Sequence, residues 1–119
     1  MIKELIRFVD ERNKECRSAC FEIVYMPGNE DFESVEKAIC HEAFGSLCET
    51  IEEYLQAYGE LDEEDLQLAK ECISKNKLIV VTLYTSSLGT YVFWHYDVEE
   101  IEKQISESIN RDWEEIGYR

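Results

Sequence analysis

The chain has 119 residues, of which 45% are hydrophobic and 33% charged, a composition that can bury a core and excludes a disordered chain. Its 27 acidic residues outnumber 12 basic ones, and the formal net charge of −15 repels nucleic acid and anionic membranes. The five cysteines lack the spacing of a disulfide-stapled domain, which indicates reduced thiols. We therefore expect a cytoplasmic single domain over 1–119 that has no membrane segment and does not contact nucleic acid directly.

Helical patterns dominate the first two-thirds of the chain. Apolar residues at helical spacing predict a helix over about 2–20, a long helix over about 31–58 that stops at Gly59, and a shorter helix capped by Asp62. The segment FEIVYM at 21–26 is rich in β-branched and aromatic residues and precedes a Pro-Gly turn. It forms either a strand or the end of the first helix.

The clearest strands follow, at 77–85 and 90–96. The four residues between them suit a hairpin loop. The run Asp97-Val98-Glu99-Glu100 resembles a capping box and opens a final helix. This order of elements predicts an α+β fold in which about four helices pack on a small antiparallel sheet, with 21–26 as a third strand if it is extended.

Side chains of the hairpin alternate between two faces. If Thr85 pairs with Thr90, one face carries Ile79, Val81, Leu83, Val92, Trp94 and Tyr96, and the other carries Leu78, Val80, Thr82, Tyr84, Tyr91, Phe93 and His95. Helices cover both faces in the first interpretation, which the apolar residues on each side favour. In the second, Tyr84, Tyr91, Phe93 and His95 form an exposed recognition patch.

The sequence contains no arrangement typical of catalysis or metal binding. Cys40 and His41 are adjacent, so on a helix their side chains diverge by about 100° and form no dyad. Cys16 and Cys20 are one helical turn apart, but the chain has no CxxC or HExxH motif. We expect a non-enzymatic protein with no catalytic residue, no metal and no other cofactor.

Acidic residues are concentrated between 22 and 65, where fourteen of them accompany a single base, Lys37. Helix dipoles account for the acids at helix starts, but a surface made only for stability would mix the signs of charge. The pattern therefore favours a basic protein partner. The predicted partner-binding residues are Glu49, Glu52, Glu53, Glu60, Asp62, Glu63 and Glu64, with Glu100, Glu107 and Glu114 as a second ridge and Tyr54 and Tyr58 as apolar anchors.

In size, charge and architecture the chain resembles small bacterial and phage antagonists: toxin-immunity proteins, anti-CRISPR proteins and DNA mimics. The resemblance implies a protein that binds and inhibits a partner with a basic nucleic-acid- or phosphate-binding site, and it transfers no functional residue. The alternative is a structural or regulatory subunit that binds a partner through the aromatic hairpin face, and a homodimer is compatible with it. An ordinary solvated acidic surface would have the same composition, so that interpretation stays open.

Overall fold

The fold is that of a computed structural model, which describes residues 2–85 and 89–112. In chain order the elements are α1 (Ile2–Glu15), β1 (Cys20–Tyr25), α2 (Val35–Ala38), a π-helical turn (Ile39–Ala43), α3 (Ile51–Tyr58), α4 (Glu63–Lys75), β2 (Ile79–Tyr84), β3 (Thr90–His95) and α5 (Val98–Asp112). The predicted α+β class is confirmed, and the segment at 21–26 is a strand. No helix in the described ranges is both long enough and apolar enough to cross a bilayer.

The three strands form one antiparallel sheet in the order β1-β2-β3, and this sheet separates two hydrophobic cores. β2 lies in the middle and is buried on both faces except at Tyr84. Helices α1 and α5 pack on one face, where the core consists of Leu5, Val9, Phe21, Ile79, Val81, Leu83, Phe93, Val98, Ile101, Ile105 and Ile109. The other core contains residues of α2, the π-helical turn, α3 and α4 together with Tyr25, Leu78 and Val80.

The predicted long helix over 31–58 is wrong, because the chain leaves the helical path after Ala43 and resumes it at Ile51. Gly45 adopts φ = 64°, a left-handed conformation that glycine reaches at little cost. Ser46 then turns back, since its N–H and its hydroxyl both donate to the Cys40 carbonyl at 2.9 and 3.0 Å. The buried Ser46 thus closes the end of the π-helical turn and redirects the chain toward α3.

The hairpin register differs by one residue from the predicted pairing of Thr85 with Thr90. Both the N–H and the hydroxyl of Thr85 donate to the Gly89 carbonyl, at 3.0 and 2.7 Å, so Gly89 continues the ladder instead of belonging to the loop. Thr90 consequently pairs with Tyr84. A shift of one residue moves every side chain of β3 to the opposite face of the sheet. The rest of the predicted loop, 86–88, lies outside the described residues.

The outer edge of β1 is closed by a side chain of α1. The Asn13 carboxamide oxygen accepts the Phe21 N–H at 2.7 Å, and its nitrogen donates to the Phe21 carbonyl at 2.9 Å. The amide therefore satisfies the two backbone groups that a neighbouring strand would otherwise bind. This contact, the Asn13 clasp, fixes α1 beside the sheet.

Candidate partner-binding surface

Most of the predicted acidic residues lie on one stretch of surface that runs along α3, through the turn after it and into the first turn of α4. Between residues 38 and 69 the chain contains no lysine or arginine. Five carboxylates here are exposed and make no hydrogen bond or ion pair with any described residue: Glu52, Glu60, Asp62, Glu63 and Glu64. We call these five residues the acidic face.

Two other predicted residues, Glu49 and Glu53, have partners within the molecule. Glu49 forms an ion pair with Lys37 at 3.6 Å. Glu53 belongs to a capping arrangement in which the Thr50 hydroxyl accepts the Glu53 N–H at 3.1 Å and the Glu53 carboxylate accepts the Glu49 N–H at 3.4 Å. Their charges therefore serve the start of α3 as well as the surface.

Glu36, which the sequence analysis did not single out, also stabilises the start of α3. Its carboxylate accepts the Ile51 N–H at 2.8 Å, across fifteen residues of sequence. A carboxylate at this position satisfies an orphan N–H and complements the helix dipole. No local pattern could reveal the role of Glu36, because it depends on the chain reversing at Gly45.

A line of aromatic rings in contact with one another connects the sheet to this surface. Trp94 meets Phe44 edge-on with 5.5 Å between ring centroids, Phe44 contacts Tyr54 at 5.0 Å, and Tyr54 contacts Tyr58 at 4.7 Å. Tyr58 ends the series with 60% of its surface exposed. The aromatic line therefore holds a large amphipathic ring at the surface next to the acidic face, and Tyr58 is well placed to anchor a partner.

Asp65, the next residue along the chain, is affected both by its own burial and by the charge of the acidic face. Burial, followed by the nearby Asp62 and Glu64 carboxylates, raises the pKa of Asp65 above its usual value. The N-terminal end of α4 favours negative charge, yet the carboxylates still repel one another there. A cationic group brought against this turn would relieve that repulsion.

The second predicted ridge lies on the other side of the sheet. Glu100 is partly buried and Glu107 exposed on α5, which packs with α1 over the first core, whereas α3 and α4 belong to the second. Glu114 lies outside the described residues. The two ridges therefore do not form one continuous surface, and α5 is not part of the acidic face.

The predicted hairpin patch does not exist as a single face, because the register separates its members. Phe93 is 8% exposed and belongs to the core under α1 and α5, with Tyr91 packed against the same core. Tyr84, 45% exposed, projects from the opposite face and donates a hydrogen bond to Glu22 at 3.4 Å. His95 accepts the Asp97 N–H through Nδ1 at 3.0 Å, the amide that Glu100 would have capped in the predicted capping box.

Buried thiols near the second core are protected from ionisation. Burial raises the pKa of Cys40 to about 11, with Glu36 as the next cause, and raises the pKa of Cys72 to about 12. Such thiols stay protonated at neutral pH and are poor nucleophiles. Among the residues that the structure describes, no three His, Cys, Asp or Glu side chains come together as a metal site would require.

Comparisons with protein-family models, with curated proteins and with solved structures found no match to this chain.

Proposed function

We propose that this chain is a non-enzymatic protein that binds, and thereby inhibits, a protein partner whose nucleic-acid- or phosphate-binding site is basic. The observation that carries the proposal is the pairing of an exposed, structurally supported Tyr58 with the five unpaired carboxylates of the acidic face. The carboxylates pair with the partner's lysines and arginines, which would otherwise bind phosphate groups. Tyr58 supplies an apolar contact next to these charge pairs.

Two physical features support this assignment over an ordinary solvated surface. The carboxylates of the acidic face have no neighbouring lysine or arginine in sequence, although Lys37 shows that the chain does use ion pairs, with Glu33 at 3.9 Å and Glu49 at 3.6 Å. Leu47, in the segment between the π-helical turn and α3, is 88% exposed. A tyrosine exposed beside unpaired charge, with a further exposed apolar side chain on the segment before α3, is typical of a protein-binding surface.

Charge reversal on the acidic face tests the proposal. The triple variant Glu60→Lys, Glu63→Lys and Glu64→Lys should retain no more than about one-hundredth of the affinity for a partner captured from lysate of the source cell, since like charges would then face each other. Wild-type binding should also weaken steeply between low and moderate salt, as the Debye length shrinks to ~8 Å. Nucleic acid or a phosphate ligand of the partner should compete with the chain.

The matched control changes net charge by the same amount on the opposite side of the sheet, with Asp10→Lys, Glu99→Lys and Glu107→Lys. These three residues are exposed on α1 and α5, so the control should retain wild-type binding. Equal loss in both triple variants would show that only net charge matters. Unchanged binding by the acidic-face variant at low salt would refute the proposed surface.

Tyr58 provides a test that does not depend on charge. Replacing it with alanine should weaken partner binding by about 30-fold, the effect of losing an aromatic hot spot. Tyr84→Ala is the control, because Tyr84 is also an exposed tyrosine but lies on the sheet. If Tyr84→Ala weakened binding and Tyr58→Ala did not, the interface would be on the sheet.

A further inference from the structure

A cleft of about 660 Å³ opens where the start of α1, the end of α4 and the start of α5 meet. Its inner surface is formed by the core residues Ile79 and Val98, which are nearly inaccessible, and its walls include Ile2 and Pro27. Tyr96, two residues before α5 begins at Val98, lines the cleft as well. An apolar interior with an aromatic ring and a volume in this range is typical of a small-molecule site.

The polar groups of the cleft are mainly basic, in a chain whose formal net charge is −15. Lys75 and Lys77 both line it, accompanied by a single carboxylate, Asp97. Neither lysine makes an ion pair with a described residue, although the chain has 27 acidic residues. The Lys75 ammonium lies 5.0 Å from the centroid of the Tyr96 ring, a cation–π contact that leaves its charge available at the mouth of the cleft.

The backbone holds the two lysines on either side of a fixed turn. Asn76 ends α4 in the left-handed conformation, with φ = 53°, and donates to the Ile73 carbonyl at 3.1 Å. The next N–H, of Lys77, donates to the Cys72 carbonyl at 3.1 Å, which completes a Schellman-type cap. Lys75 complements the negative end of α4, but Lys77 lies beyond the helix, where that explanation does not apply.

The amino end of α5 borders the cleft, and Glu99 and Glu100 in its first turn bring negative charge to the same helix end. Val98 is the first residue of this helix and lines the cleft directly. The first N–H groups of a helix have no intrahelical partner and carry the positive end of its dipole. The preference for an anion therefore comes from Lys75 and Lys77, two ammonium groups without an ion pair to a described residue, which border an apolar interior.

We propose that this cleft binds a small organic anion that has a flat apolar body and one carboxylate, sulfonate or phosphate group. The apolar body packs against Ile2, Pro27 and Tyr96, above the floor that Ile79 and Val98 form, and the anionic group meets Lys75 and Lys77. The site is separate from the acidic face, because Lys75 and Glu63 occupy opposite ends of α4, about 18 Å apart at 1.5 Å per residue. The inference goes beyond the proposed function and does not depend on it.

Three probes of one shape and different charge test this site: biphenyl-4-carboxylate, biphenyl-4-methanol and biphenyl-4-methylammonium. Amide chemical shifts of the ¹⁵N-labelled protein should change saturably with the carboxylate, and the changes should centre on Lys77, Asp97 and Val98. The alcohol should bind about 10-fold more weakly, because it lacks the attraction to two partly solvated lysines, and the ammonium more weakly still.

The variant Lys75→Gln with Lys77→Gln should weaken carboxylate binding about 10-fold and leave binding of the alcohol unchanged. Its matched control is Lys70→Gln with Lys103→Gln, which removes two exposed lysines outside the cleft. The control should bind both the carboxylate and the alcohol as tightly as the wild type does. Absence of saturable shifts around the cleft, equal affinity for carboxylate and ammonium, or a preference for the anion that survives in the cleft variant would each overturn the proposal.

Discussion

The Asn13 clasp makes a quantitative prediction about stability. Asn13→Ala removes a side chain that supplies both a donor and an acceptor to the backbone of Phe21, at 2.9 and 2.7 Å. Asn13→Asp keeps the acceptor for the Phe21 N–H but places a second oxygen against the Phe21 carbonyl, where two acceptors repel. We therefore expect Asn13→Asp to be no more stable than Asn13→Ala, although aspartate resembles asparagine in shape.

The size of the effect follows from the two hydrogen bonds and from the helix that contains Asn13. Loss of both bonds should cost about 2.5 kcal/mol, because the Phe21 N–H is left to water and the Phe21 carbonyl keeps only the weak bond from the Cys20 thiol at 3.7 Å. Alanine recovers about 0.6 kcal/mol through its higher helix propensity, so the net loss should be about 2 kcal/mol. An unfolding entropy of about 2.1 cal/mol/K per residue then predicts a fall in Tm of about 8 °C for 119 residues.

Urea denaturation and calorimetry of the wild type and the variants measure this change. The control is Asn110→Ala, since Asn110 is exposed on α5 and its replacement brings the same gain in helix propensity without breaking a contact of a described residue. We expect this control to be slightly more stable than the wild type. A free energy of unfolding for Asn13→Ala within about 0.5 kcal/mol of the wild type would refute the role of the clasp.

Two further predictions concern α3 and the thiols. Glu36→Ala should lower the free energy of unfolding in urea by about 1–2 kcal/mol, because it leaves the Ile51 N–H without its acceptor. Glu36→Gln keeps an acceptor oxygen, so its free energy of unfolding should fall by less than half as much. An equal fall in the two variants would contradict the capping role. Iodoacetamide at pH 8 should label exposed Cys20 in the native protein and spare Cys40 and Cys72, whose pKa values burial raises to about 11 and about 12. Mass spectrometry of the labelled peptides would disprove this if Cys72 reacted as fast as Cys20 without denaturant.

Hydrophobic periodicity was sufficient to predict the helices and strands whose apolar residues follow a regular spacing. The two hairpin strands, α4 and α5 follow from alternation or helical spacing, whereas composition left 21–26 open as a strand or the end of the first helix. The sequence also contains two signals of the break in the predicted long helix. Gly45 interrupts the helical pattern, and Thr50 stands three residues before Glu53, as in a capping box. The prediction followed the apolar stripe across this segment and did not use those two signals.

The hairpin register and the aromatic line depend on contacts that local patterns do not contain. Whether Gly89 ends the loop or starts the strand changes the pairing by one residue, and that difference decides which face Phe93 occupies. The exposure of the five acidic-face residues was predictable from charge alone. The support of Tyr58 by Phe44 and Trp94 was not, since it requires the chain to reverse twice before the rings meet.

The strand order β1-β2-β3 also determines when the chain can fold during synthesis. β1 ends at Tyr25 and its partner β2 begins at Ile79, so at 5–20 residues per second β1 is made roughly 3–11 s before the strand that it needs. The β2–β3 hairpin, by contrast, joins neighbouring segments and can form within about 1–10 μs. Because β2 supplies residues to both cores, neither core can form until this late strand has been synthesised. Until then Phe21 has no partner strand on the nascent chain. The two halves of the molecule should consequently fold together in a single step after β2 has been synthesised.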